Sequence, residues 1–143
     1  MAWSEYRKIL VAVDGSRGAR EAARRGASLA KLCGAQVLLV HCRKGVPEYL
    51  GEPYYQRMLD RLLAQVEELM EPYRVIFREA GVSFEERVLE GDPARAVCEA
   101  ARVEECDLIA MGTRGLSDFE GLFLGSVVHK VLVCAPCPVL AVR

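Results

Sequence analysis

Short apolar runs of about five residues alternate along this chain with longer stretches whose apolar residues recur at helical spacing, and no other feature narrows the fold as far. The order reads β-α-β-α-β-α-β-α-β. Strands are expected at Lys8 to Val13, Gln36 to Cys42, Val82 to Leu89, Asp107 to Met111 and Pro138 to Val142. The runs near residues 9, 37 and 108 are apolar on both faces, which suits central strands of a parallel sheet covered on both sides. Val82 to Leu89 mixes Val82, Phe84 and Val88 with Glu85, Glu86 and Arg87, and fits an edge.

Four helices fill the gaps. The first is expected from Arg17 to Cys33, with Ser16 capping its start, Gly34 ending it, and Ala19, Ala22, Ala23 and Ala30 on its small-residue face. The second carries Tyr55, Met58, Leu59, Leu62, Val66, Leu69, Met70 and Tyr73 and ends near Gly81. Pro72 should kink or split it, because proline lacks the amide donor and crowds the preceding turn. Asp92 caps the third, with Pro93 at its first position and Ala94, Val97, Cys98 and Ala101 inward. The fourth buries Leu124, Val127, Val128 and Val131. With no repeat or linker, residues 1–143 read as one domain, a doubly wound open sheet of five parallel strands in the order 3-2-1-4-5 with four helices.

In that order the sheet reverses between strands 1 and 4. Open α/β sheets bind ligands beyond the carboxyl ends of their strands at such a point. Two loops meet there, Asp14-Gly15-Ser16 after strand 1 and the stretch opening Gly112-Thr113-Arg114-Gly115 after strand 4. The second loop has the spacing Gly112-x2-Gly115-x9-Gly125-Ser126, followed by a helix start. Glycines let a backbone approach phosphate closely, and helix N-terminal amides supply donors and partial positive charge. Two readings stand for this loop: a phosphate cradle, or a glycine turn with Ser126 as an ordinary helix-start residue. Asp14 likewise either reads a ligand or bonds its own turn. Arg114 either reaches phosphate or is solvated.

Charge and composition exclude other classes. Lys plus Arg number 19 against 20 Asp plus Glu, a formal charge of −1, which removes the counterion-release drive of a nucleic-acid binder. No apolar stretch nears the ~20 residues that span a bilayer, and Ile9 to Val13 is too short for a signal core, so a cytoplasmic protein without a membrane anchor is expected. Six cysteines spread through a chain of this length do not resemble a small disulfide framework, and reduced thiols are expected. A rival site remains at Cys134-x2-Cys137, which the topology could bring near Cys106 for redox or metal chemistry. It lacks the fourth ligand of a zinc site, and the pair follows a helix rather than starting one.

The opening Ile9-Leu-Val-Ala-Val-Asp14-Gly-Ser16 and the ending Met-Gly-Thr-Arg-Gly, Gly-Ser-Val and Ala-Pro-Cys-Pro-Val-Leu resemble the universal stress protein family, and the glycine spacing resembles its ATP-binding branch. The resemblance implies that Asp14 holds the ribose hydroxyls, Val40 contacts adenine, and Gly112 borders the ribose. It implies that Gly115, Gly125, Ser126 and the Val127 amide cradle the phosphates. Met111, which ends the fourth strand, and Arg114 complete the candidate binding set. ATP is the implied ligand, with Mg2+ carried mainly by its phosphates. Asp118 and Glu120, where relatives often carry neutral or basic residues, would repel a triphosphate and leave AMP or ADP open. His41 and His129 read as structural or surface residues.

The implied function is an ATP-binding stress-response regulator that docks on a protein partner, with at most slow ATP hydrolysis or autophosphorylation. The alternatives are an ATP-using enzyme of the same fold and a cysteine-based redox or metal module. No catalytic constellation is legible. The uncharged run Pro138 to Val142, at a sheet edge, predicts a homodimer through strand 5, as the resemblance also implies.

Overall fold

The computed structural model describes residues 5–115 and 124–143. Its five strands are β1 (Lys8–Val13), β2 (Gln36–Arg43), β3 (Phe84–Glu90), β4 (Leu108–Gly112) and β5 (Val139–Val142). They form one sheet in the order β3-β2-β1-β4-β5, every neighbouring pair parallel, as the sequence predicts. Four α-helices, α1 (Arg17–Cys33), α2 (Tyr54–Ala80), α3 (Pro93–Val103) and α4 (Ser126–Cys134), connect them, with a short 3-10 turn at Glu48–Leu50.

Side chains alternate across a strand, so each central strand feeds two cores. Ile9, Val11 and Val13 of β1 pack with Val37 and Leu39 of β2 against the alanine face of α1 and against Val66, Met70, Tyr73 and Phe77 of α2. Leu10, Leu38, Val40, Ile109 and Met111 pack on the other side against α3 and α4. At the edge, β3 leaves Glu85 exposed and hands Phe84 to the first core, its ring 5.6 Å from that of Phe77. It starts two residues later than expected because the Val82 amide still bonds the Phe77 carbonyl at 3.0 Å, closing α2.

The capping residues act as read. Ser16 Oγ accepts from the Ala19 amide at 3.1 Å, Asp92 accepts from the Arg95 amide at 3.0 Å, and Gly34 ends α1 in the left-handed region at φ 68°. Of the two outcomes expected at Pro72, the split does not occur: α2 is one helix from Tyr54 to Ala80. Pro72 sits on the exposed side, and Glu68, whose carbonyl loses its partner four residues on, is exposed too. Water can satisfy that oxygen, while Met70, Tyr73 and Phe77 hold both halves of the helix to the sheet. Among the described residues no helix is long and apolar enough to cross a membrane.

Candidate functional site

A cavity of about 660 Å³ opens at the carboxyl ends of β1, β2 and β4, at the point where the sheet order reverses. Of the nine candidate binding residues, Asp14, Val40, Met111, Gly112, Arg114, Gly115, Gly125 and Val127 line it. Ser126 does not; it is the exposed first residue of α4. Asp118 and Glu120 lie outside the described residues.

The apolar floor comes from strand ends. Val40 and Met111 are almost fully buried there, and Val97 and Val128 add the facing surface of α3 and α4. Sequence reasoning missed the opposite wall. Leu62, Gln65, Val66 and Leu69 of α2 line the cavity too, because the stripe that packs on the sheet continues past the sheet's end. It also missed how α2 reaches the first loop: Tyr73, 1% exposed, accepts the Gly15 amide on its hydroxyl at 3.0 Å. Burial holds the Tyr73 hydroxyl above its ordinary pKa of 10.0, so at neutral pH it is a phenol.

Asp14 does perform the turn role. Its Oδ1 accepts from the Ser16 amide at 2.9 Å, while the residue also lines the cavity. His41 Nδ1 lies 2.9 Å from the Val13 carbonyl; an oxygen of that kind only accepts, so Nδ1 carries the proton and donates. The ring thereby ties the ends of β1 and β2 and forms part of the wall. Of the segment Arg43 to Pro53, only Arg43 and Lys44 line the cavity, and Arg43 is partly drawn off by Glu90 at 3.3 Å.

The loop after β4 is held by its backbone. The Thr113 amide donates to Val142 of β5 at 2.8 Å, and the Thr113 carbonyl accepts from the Gly125 amide at 2.6 Å. Gly125 is thus the N-cap of α4 without a side chain to cap it, and its amide is already spent on Thr113. The first-turn amides of α4, beginning at Ser126 and Val127, are the ones a helix leaves without internal partners. Gly112 has a structural reason as well: a Cβ there would lie 2.9 Å from the Gly18 carbonyl carbon and 3.2 Å from the Ala19 nitrogen. The start of α1 rests directly on the end of β4.

The cysteine expectations change. Cys98 and Cys134 form a disulfide between α3 and α4, with Cα atoms 6.3 Å apart, within the range a bridge requires. Cys134 therefore does not pair with Cys137 or join a three-thiol cluster. Sequence spacing missed this because the partners are 36 residues apart and meet only when the two helices pack side by side. Cys33, Cys42, Cys106 and Cys137 take no part in this bond. Burial, more than the nearby charges, pushes the Cys106 thiol up to about 11, so it is protonated and inert at neutral pH. Among the described residues no three His, Cys, Asp or Glu side chains converge as a metal site would need.

The universal stress protein family model matches residues 5–143. The chain belongs to this family. As a universal stress protein it is 44% identical over 139 residues to the "Universal stress protein in QAH/OAS sulfhydrylase 3'region" of Thermus aquaticus, covering 96% of this chain and 99% of the relative. Its fold is similar to the solved structure of the hypothetical protein MJ0577, with TM-score 0.85, 26% identity, and coverage of 96% of this chain and 95% of the other. It is also similar to a universal stress protein solved in complex with cAMP, with TM-score 0.75, 26% identity and 98% of each chain covered.

Proposed function

We propose that this universal stress protein binds ATP in the cavity at the sheet reversal and acts as a regulator whose loaded and empty forms present different surfaces to a protein partner. The observation that carries the reading is the pairing of an apolar floor, Val40 and Met111, with a helix start that has no capping side chain and basic side chains at the rim, Arg43, Lys44 and Arg114. A flat base fits the first and phosphates fit the second. The similar protein that holds cAMP, an adenine nucleotide, supports the class of ligand. Asp14 is the ribose acceptor in this proposal. The Val127 amide, in the first turn of α4, is the phosphate donor, and Gly115 and Gly125 contribute close backbone approach.

Among the described residues lining the cavity Asp14 is the one carboxylate, so a divalent ion would be carried by the phosphates and not by a protein cage. Asp14 Oδ1 is already engaged by the Ser16 amide, and His41 is tied through Nδ1 to the Val13 carbonyl, so neither side chain of the cavity is free to swing onto an attacking water. Any hydrolysis is therefore expected to be slow. Mass analysis of nucleotide released from freshly purified protein, followed by calorimetry with ATP, ADP and AMP, tests the proposal. Gly115→Val should abolish ATP binding while the far-ultraviolet circular dichroism stays unchanged; tight ATP binding by that folded variant would sink the phosphate cradle.

A further inference from the structure

A second cavity, of about 670 Å³, lies between α3 and α4 on the outer side of the sheet, and the Cys98–Cys134 bond is in its wall. The two sulfurs differ in access. Cys98 is 5% exposed and packed into the core with Val131, whereas Cys134, the last residue of α4, is exposed. Around them stand Arg95, Arg102, His129 and Lys130, with Asp92 and Glu99. Both acids are occupied: Asp92 caps the Arg95 amide, and Glu99 pairs with the Arg102 guanidinium. Among the described residues no acid pairs with the side chain of Arg95 or Lys130.

From this juxtaposition we infer that the groove is a thiol–disulfide exchange site for an anionic low-molecular-weight thiol, which opens the Cys98–Cys134 bond by attack at Cys134. The volume suits a molecule the size of a tripeptide, and two uncommitted cations draw its carboxylates toward the exposed sulfur. The thiolate forms a bond to Cys134 Sγ as the Sγ–Sγ bond breaks; the electron pair leaves on Cys98 Sγ, which takes a proton from solvent. The Val131 carbonyl, 4.0 Å from that sulfur, is the acceptor in line for the new S–H. A second thiolate then attacks the small-molecule sulfur of the mixed disulfide and releases Cys134 as a thiol. Two small thiols are oxidised to one small disulfide, and the protein bond is reduced to two thiols.

The proposal is tested on the full-length oxidised protein with glutathione as the anionic probe and cysteamine as the cationic one, following adducts by mass spectrometry after acid quench and peptide mapping. A mixed disulfide should appear on Cys134, and its rate with glutathione should fall with added salt while that with cysteamine does not. In the double variant Arg95→Glu, Lys130→Glu, both positions being exposed, the glutathione-to-cysteamine rate ratio should drop by about tenfold or more. Resistance of the bond to glutathione would identify a purely structural staple and overturn the proposal. So would adducts confined to Cys33, Cys42, Cys106 or Cys137, or a ratio and salt response that charge reversal leaves unchanged.

Discussion

At the scale of single residues, Asp14 and Gly112 both do structural work at positions that also line the cavity. The Oδ1 of Asp14 organises the turn through the Ser16 amide, so a variant lacking the carboxylate loses a structural bond along with any ligand contact. Asp14→Ala should weaken ATP binding by about 1–3 kcal/mol, the range for a charged hydrogen-bond partner, as read by calorimetry. Asp14→Asn retains an acceptor for Ser16, and should keep wild-type thermal stability while losing part of that affinity. Gly112 sits against backbone that cannot swing away. Gly112→Ala should therefore destabilise the fold by about 1–3 kcal/mol in urea titrations. The glycine spacing was legible in the sequence, but its reason was not. Spacing alone cannot separate a glycine that admits a ligand from one that admits the first turn of a neighbouring helix. For the same reason Tyr73 read as one more core residue, since only the packed α2 brings its hydroxyl to the Gly15 amide.

Between elements, the strongest polar tie joins α2 to the edge strand β3. Arg74, nearly buried, spans Glu86 of β3 at 2.7 and 2.8 Å and Glu67 of its own helix at 2.9 and 3.1 Å. The guanidinium's hydrogen bonds hold both carboxyls below their ordinary value of 4.5. A carboxyl whose pKa is lower folded than unfolded contributes stability that is present above the ordinary value and drains away as pH falls through the lowered one. The urea midpoint should accordingly decline as pH drops below about 4.5, and Arg74→Met should show a shallower acid slope than the wild-type protein. A slope unchanged by that substitution would assign acid sensitivity elsewhere. Element identity was legible because the period of apolar residues switches cleanly at Ser16, Gly34 and Asp92, where caps also stand. Helix-to-helix relations were not, as the Cys98–Cys134 bond shows: periodicity reports which face of α3 or α4 is apolar, and not which residue of one lies opposite which residue of the other.

For the molecule as a whole, the surface that matters most is the outer edge of β5, which among the described residues pairs with β4 alone. Leu140 is 36% exposed there, with Leu132 at 48% and Val133 at 79% on the preceding α4. An uncharged edge of this kind invites a strand from another chain, and a second copy related by a two-fold axis is the partner we propose. Leu140→Lys should shift sedimentation from dimer to monomer at micromolar concentration; a wild-type protein that sediments as a monomer there would refute the pairing. Thr113 gives this arrangement a further consequence. Its amide is fastened to Val142 on the strand proposed to meet the partner, and its carbonyl to Gly125 at the mouth of the helix proposed to meet phosphate. One residue, through the two peptide groups that flank it, thus ties the proposed ligand contact to the proposed subunit contact. By reciprocity, if nucleotide changes the dimer dissociation constant by some factor, dimerisation must change the nucleotide dissociation constant by the same factor, so titrations at high and low protein concentration should yield different affinities for one and the same ligand.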